Sequence, residues 1–539
     1  MCQHPHPPSG RAISLGHGDA HDHDHARWTR RDFLVRSGLA AVGGAVAVGG
    51  TPVRAMARSP LLDALARAET DRVLVLIQLQ GGNDGLNTVV PVRNDVYARA
   101  RPTLAIPRAE TIALDADHGL HAALDPLRSM WDAGDLSIVQ GVGYPDQDLS
   151  HFRGTDIWLS ASDADEVLTS GWAGRALAYE HPDLDGNPPS APPAVQIGTS
   201  APLLFEGDGA GYGMAMLDID VFLRLAEGGD PYPTTSLPAT PYGEELGFVR
   251  RIANDAFRYR DAIESATQAG RNEVAYPDSD LGRELAAVAQ LVKGRLGSRI
   301  YLVSLPGFDT HAGQPEVHAR LLGTLAQSLA AFYADLGATG DDERTLALTF
   351  SEFGRRVEEN GSNGTDHGTA APLFLAGPAA EGGLYGPDPD LENLDRVGNL
   401  RHTTDFRQVY ASVLERWLEL TPQDSAAVLG GTFAPLDVVA SGGATSAPTA
   451  PDAALRLDTP APNPVQGTAT VRYALAEPGH ATLDVFDVRG RRVRQLADVV
   501  HGPGDHRAAF DASALPAGVY VLRLTAHGQT RSVQATVVR

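Results

Sequence analysis

What most restricts how this chain can fold is a set of apolar runs, five to seven residues long, that stop abruptly at polar loops. Val73-Leu74-Val75-Leu76-Ile77-Gln78-Leu79 runs into Gly81-Gly82-Asn83-Asp84-Gly85. Leu136–Val142 leads towards Asp148-Leu149-Ser150-His151-Phe152-Arg153-Gly154. Ile300–Ser304 leads to Gly307-Phe308-Asp309-Thr310-His311, and Thr345–Phe350 to Ser351-Glu352-Phe353-Gly354-Arg355. A fifth run, Pro372–Ala376, is instead preceded by Gly364-Thr365-Asp366-His367-Gly368. Runs this short and continuously apolar suit strands covered on both faces. Longer stretches between them, such as Leu281–Leu296 and Pro315–Leu336, carry helical texture. The alternation predicts an α/β domain with a mostly parallel sheet flanked by helices over residues 71–436.

In open sheets of this class, ligands gather beyond the carboxyl ends of the strands. Four of the five segments put a carboxylate or histidine there. Each alone is ambiguous: an Asp after a strand commonly caps a helix or makes a turn, and Gly-Gly-Asn-Asp-Gly can be a tight turn. Oxygen and imidazole donors converging on one sheet edge point to a divalent metal centre of one or two ions. His118 and His121 flank an expected helix start at Ala122 and read as packing or capping groups. Residues 183–272, rich in Pro, Gly and Tyr, read as an insertion or cap over the strand ends.

The two ends carry a different kind of information. Residues 1–27 hold six of the 18 histidines. Thr29-Arg30-Arg31-Asp32-Phe33-Leu34 then precedes a Gly/Ala-rich apolar run, Gly38 to Gly50, and a small-x-small site at Ala55-Met56-Ala57. A basic segment, a short apolar run and such a site describe an export signal over residues 1–57. The paired arginines resemble a twin-arginine signal, which implies handling by the twin-arginine translocase. Cleavage after Ala57 would remove Cys2, the sole cysteine, leaving no disulfide, thiolate nucleophile or Cys-ligated metal. No later stretch approaches 18 apolar residues, so no membrane-spanning helix is expected in the mature chain.

Residues 437–453 form a Gly/Ser/Pro/Ala/Thr linker. Beyond it, residues 454–539 switch to short alternating strands, the pattern of a small all-β sandwich. With 67 acidic against 44 basic residues and a formal charge of −23, the chain repels phosphate backbones, so nucleic acid is not an expected partner. Its one lysine, Lys293, leaves little scope for Schiff-base or Walker-type chemistry.

Two resemblances extend this reading. Pro460-Ala461-Pro462-Asn463-Pro464, Asp484-Val485-Phe486-Asp487-Val488-Arg489-Gly490-Arg491 and Leu515-Pro516-Ala517-Gly518-Val519-Tyr520 occur in the order seen in C-terminal sorting domains of type IX secretion cargo. Phe486 replaces the usual tyrosine. The resemblance implies handling by the type IX machinery, with the protein passing the periplasm to reach the cell surface or medium. GGNDGLNTVVP, SHFRGTDIW, FDTHAGQ, TFSEFGRR, TDHGTAAPLFLAGP and TDFRQVYASVLERWL, in that order, resemble an exported bacterial family, domain of unknown function 1501. That group is placed in the alkaline phosphatase superfamily with the sulfatases. The placement implies an alkaline-phosphatase-like sheet, two metals, and in-line displacement at phosphorus or sulfur by an alkoxide nucleophile.

Carried onto this chain, the resemblance implies Asp84 as a first-strand metal ligand and Ser150 as nucleophile. Asp309, His311 and His367 become ligands of one metal. Glu352 stands where the superfamily often has an acidic ligand, while Phe353 takes the place of its histidine partner. The second site would then hold only the oxygens of Asp84, Glu352 and Ser150, favouring Mg, Mn or Ca over Zn. His151 is expected to orient the reacting group, to act as acid or base, or to take a ligand's place. Arg153 is expected to clamp a tetrahedral anion. The implied activity is secreted, metal-dependent hydrolysis of phosphate or sulfate esters, with an extracellular polymer as one substrate class. The alternative is a non-catalytic exported surface-binding or assembly protein that keeps the fold.

Overall fold

The computed structural model describes residues 71–440 and 456–538 apart from short internal stretches, with the backbone of three short strands between residues 40 and 54. The rest of the export-signal segment, and linker residues 441–455, lie outside the described residues. At the centre is β1 (Val73–Gln80), apolar almost throughout because both its faces are covered. Val73, Val75, Ile77 and Leu79 face one core and Leu74 and Leu76 the other, the period of two that a strand imposes.

Eight further strands complete the sheet: β2 (Leu136–Gly143), β3 (Ala194–Ile197), β4 (Gly213–Met216), β5 (Ile300–Pro306), β6 (Thr345–Phe350), β7 (Ala371–Ala376), β8 (Gly383–Tyr385) and β9 (Thr404–Asp405). Their order is β4-β3-β5-β1-β6-β7-β2-β8, with β9 also against β2. Every pairing is parallel except those of β7, which runs antiparallel to both β6 and β2. The expected mostly parallel α/β sheet is what forms.

Six helices matter here: α1 (His151–Ser160), α2 (Trp172–Glu180), α3 (Pro241–Ala269), α4 (Asp280–Lys293), α5 (Gln314–Gly337) and α6 (Phe406–Ser412). Helices α4 and α5 cover one face through Leu285, Val288, Leu325 and Phe332; α1, α2 and α6 cover the other through Trp158, Trp172 and Tyr410. Asp405 starts α6 with a reciprocal capping box to Gln408. His121 caps the 3-10 turn Ala122–Leu127, its Nδ1 accepting from the Ala123 amide.

One expectation changes. Residues 183–272 are not only an insertion, because they supply β3 and β4, the edge of the sheet itself. Each is four residues long and flanked by proline or glycine, so the sequence pattern is too short to register as a strand.

The register decides what meets what. Leu74 pairs with Ile300 and Gln80 with Pro306, while Val73 pairs with Thr345 and Gln78 with Phe350. The loops leaving β1, β5 and β6 therefore emerge side by side. The antiparallel β7 begins on the edge where the others end, which is why its histidine motif precedes the strand instead of following it.

The C-terminal module is a sandwich of two antiparallel sheets. β10 (Arg456–Leu457), β11 (Thr468–Leu475) and β14 (Gly504–Asp511) form one; β12 (Gly479–Phe486), β13 (Arg492–His501), β15 (Gly518–Ala526) and β16 (Gln529–Val537) form the other. Val471, Tyr473, Leu483, Phe510 and Leu522 fill the space between them. Arg472 donates to the carbonyls of Gly134 and Ala380, and Arg507 pairs with Asp135 at 2.9 Å, joining sandwich to body.

Candidate metal centre

The loop after β1 is shaped by two glycines. Gly81 and Gly82 have φ of 119° and 86°, and added Cβ atoms would strike the Asp309 amide and the Phe353 ring respectively. Side chains there would displace the loop after β5 and the wall of the site. Without them the Gly81 amide donates to Glu352 Oε1 at 2.8 Å, fixing that buried carboxylate.

Glu352 in turn positions α1. Its Oε1 lies 2.8 Å from His151 Nδ1, and its backbone carbonyl accepts from the Trp158 indole at 3.0 Å. Residues 151 and 158 are two turns apart on one helical face, so one residue grips the helix twice.

Three imidazoles surround Asp309, each held the same way. His151 Nδ1 faces Glu352, His311 Nδ1 lies 3.0 Å from Asp366 Oδ1, and His367 Nδ1 lies 3.0 Å from the Leu149 carbonyl. The opposite nitrogens point inwards. His311 Nε2 and His367 Nε2 are each 3.1 Å from Asp309 Oδ1, and His151 Nε2 is 3.5 Å from Oδ2. Ligand atoms of His151, Asp309 and His367 all lie within 4.8 Å of one another, with His311 on the flank of Asp309. With Nδ1–H donated outward, a neutral ring directs the Nε2 lone pair at a carboxylate. Lone pairs and a carboxylate facing one point repel unless a cation sits among them. The donor set therefore fits a metal, with the outer hydrogen-bond acceptors that histidine ligands ordinarily have.

Arg355 supplies fixed positive charge beside it. Fully buried, it donates to the carbonyls of Gly81, Gly82, Phe308 and Thr365 and, at 2.7 Å, to Asp309 Oδ1. It thereby ties together the loops after β1 and β5 and the one before β7. Partial burial opposes ionisation of Asp309, but the Arg355 guanidinium outweighs it and holds the carboxyl at about 2. Phe353, also buried, sets its ring 4.9 Å from His151 and 4.5 Å from His367. It is a wall for the imidazoles. Side chains of His151, Asp309 and His311 remain 37–46% exposed, so the centre is open to solvent.

Several expected site residues stand elsewhere. Asp84 is buried and pairs with the equally buried Arg101 at 2.6 Å; it also accepts from Gln314. A carboxylate so engaged, on the residue just before the one-turn helix Gly85–Thr88, is not among the groups gathered round Asp309. Glu352 holds His151 Nδ1 and so stands behind that imidazole, not beside Asp309. The oxygen-only second site is thus not assembled, and Arg101 stands as the cation beside Asp84. Arg153 turns away, its Nη2 donating to the Ser162 hydroxyl and to the carbonyls of Asp163, Ala164 and Glu166. Ser150 is the exposed residue preceding α1; its amide donates to Asp148 and its hydroxyl makes no cap hydrogen bond.

Sequence reasoning passed over Asp366, Arg355, Arg101, Gln314 and the Leu149 carbonyl. Asp366 and Arg355 lie inside quoted motifs, and a polar residue next to a ligand histidine was the available signal. Nothing local marks Arg101, whose partner is 17 residues away.

Residues 242–431 match the family model described as "Protein of unknown function (DUF1501)", and residues 461–539 match "Secretion system C-terminal sorting domain". No curated protein matches. Similar solved structures include a lipoteichoic acid synthase from Listeria monocytogenes, 8% identical, covering 69% of this chain and 76% of that one, TM-score 0.29. A sulfatase from Pseudoalteromonas sp. is 12% identical, covering 85% and 88%, TM-score 0.28. A member of the alkaline phosphatase superfamily from Vibrio parahaemolyticus is 9% identical, covering 79% and 83%, TM-score 0.31. The sorting domain marks the chain for export by the type IX secretion system.

Proposed function

We propose that this protein is a secreted hydrolase of phosphate or sulfate esters working with one divalent metal ion held by His151, Asp309 and His367, with His311 alongside. The observation that carries the reading is the triple arrangement in which Nδ1 of each histidine is tied outward and Nε2 is aimed at Asp309. When bound, such an ion supplies Lewis-acid polarisation of an ester oxygen and favours the ionised form of a nearby hydroxyl. Three nitrogens and one carboxylate suit zinc or a similar transition ion better than Mg or Ca.

Ser150, exposed and directly before a ligand histidine, is the nucleophile in this reading. Its Oγ gives its proton to water and bonds to phosphorus or sulfur as the ester bond to the alcohol breaks. The departing oxygen takes a proton back from water, and a second water then attacks the serine-bound phosphorus or sulfur, releasing the anion as Oγ regains its proton. Arg355 keeps Asp309 ionised and the three loops in register. The Phe353 ring excludes water from one side of the imidazoles.

Arg153, turned from the centre, and Phe353, where an imidazole was expected, support a second reading: an exported surface-binding or assembly protein whose metal is structural. Elemental analysis of the full-length protein and its Asp309→Ala variant, beside assays on p-nitrophenyl phosphate and sulfate, separates the two. The hydrolase reading expects about one metal per chain, lost on mutation together with Ser150-dependent turnover. Metal present with both esters untouched overturns it in favour of the second reading.

A further inference from the structure

Among the described residues, Phe152 is the most exposed large apolar side chain, at 87%. Single apolar residues scattered on a surface need no explanation, but this one has a particular place. It follows Ser150 and His151 directly in the chain, so it sits beside the nucleophile of the proposed reaction and beside an imidazole aimed at Asp309. Neither packing nor backbone asks for an aromatic there. The ring meets almost nothing of the protein, and phenylalanine forms helix less readily than alanine, leucine or the long polar residues.

Helix geometry sets its direction. α1 turns Gly154, Ile157 and Trp158 inward. At about 100° per residue, Phe152 lies roughly 140–160° round the axis from Gly154 and Ile157, on the solvent side. Helical side chains lean towards the N-terminus, and that end of α1 is the one that brings Ser150 and His151 to the centre. The ring therefore stands at the side on which His151, Asp309 and His311 remain exposed. An ester held through its anionic oxygens at the metal has the buried Glu352, Phe353 and Arg355 behind it, so its organic group projects through that open side. The next outward residues of α1 are Arg153, half-buried, and Asp156, exposed. One ring among charged groups covers a single flat ligand group. A lipid surface needs an extended apolar helix face, and a protein partner a broader patch.

We infer that Phe152 is a specificity residue that packs against the organic group of the ester and favours flat apolar groups, an aryl ring above all. Its part in turnover rests on the hydrolase reading; the ligand preference needs only the metal-loaded centre.

The test is calorimetric titration of the metal-loaded, full-length protein with two pairs of inert anions: phenylphosphonate against methylphosphonate, and benzenesulfonate against methanesulfonate. In at least one pair the phenyl compound should bind about tenfold more tightly, the scale set by burying part of one ring face. Phe152→Ala should bring that ratio down to about twofold or less, the apolar contact being gone. It should leave the affinity for the methyl compound, the metal content and the urea midpoint unchanged, and Phe152→Trp should restore the preference. The inference is overturned if the parent shows no phenyl preference or binds none of the four anions. It is overturned equally if the preference survives in Phe152→Ala, or if that variant loses both members of a pair alike. Turnover of p-nitrophenyl esters by the parent is scored separately. A Phe152-dependent preference without turnover removes the hydrolase reading alone, and turnover without such a preference removes this inference alone.

Discussion

Replacing Asp84 separates a ligand from a structural carboxylate. If Asp84 bound metal, Asp84→Asn would strip the metal and leave the fold nearly untouched. Its geometry demands the reverse. Arg101 and Asp84 are both inaccessible and 2.6 Å apart. Arg101 keeps Asn87 Oδ1 at 2.7 Å, the Val357 carbonyl at 2.9 Å and the Arg356 carbonyl at 2.8 Å, so its donors stay partnered when Asp84 changes. Asparagine retains an acceptor and loses the charge, which should cost about 2 kcal/mol, the scale of a hydrogen bond to a charged group. Alanine leaves a buried guanidinium without its counter-charge and should cost about 3–5 kcal/mol. Either is a large fraction of a typical 5–15 kcal/mol stability, and the asparagine variant should still fold.

The acid side adds a signature. Burial opposes ionisation of Asp84, but Arg101 outweighs it and lowers the pKa below its ordinary value. The folded state therefore binds fewer protons than the unfolded chain. Stability from this group is present above about pH 4 and lost as pH falls further; Asp84→Asn should lack that loss. Urea unfolding followed by tryptophan fluorescence reports chiefly on the body, since four of the five tryptophans, Trp131, Trp158, Trp172 and Trp417, lie there, the sandwich has none and Trp28 belongs to the export-signal segment. Metal content is measured on the same samples. Loss of metal with unchanged unfolding free energy in Asp84→Asn would refute the structural assignment.

Glu352→Gln should lower metal affinity about 10- to 100-fold, the usual effect of losing an outer partner of a ligand histidine; competition with a chelator measures it, and an unchanged affinity would show that Glu352 does not orient His151. His318 is buried and burial holds its imidazole down at about 4. The unfolded chain takes up that proton below about pH 6.5, so stability should fall by up to about 3 kcal/mol as pH drops from 6.5 towards 4. His318→Gln should flatten that slope in denaturant titrations, and an unaltered slope would place the effect elsewhere. Arg153→Ala should leave kcat/KM within about threefold while Ser150→Ala reduces it on the order of a thousandfold or more; a large loss in the arginine variant would mean that it reaches the substrate.

Periodicity and punctuation along the chain determined a good deal. Val73–Leu79 is apolar on both faces, so it had to be an interior strand, and five such runs separated by helical stretches left little but a mostly parallel sheet. Because strand ends mark one edge, Asp309 and His311 could be placed there from the sequence, and the family resemblance added His367 to them. What the chain could not state is which partner each side chain meets once it arrives. Asp84 and Asp309 look alike locally, each an acid just past a strand. One faces Arg101, 17 positions on; the other faces three imidazoles, one of them 58 positions on and another far back in the chain on α1. The role of Glu352, expected as a ligand and found behind His151, depends on how α1 seats through Trp158. The edge strands β3 and β4 escaped notice because four residues are too few to show a period. Local sequence determines backbone state and the edge a residue reaches, since both depend on neighbours along the chain. The direction of a side chain's hydrogen bonds depends on neighbours in space, which only the assembled sheet decides.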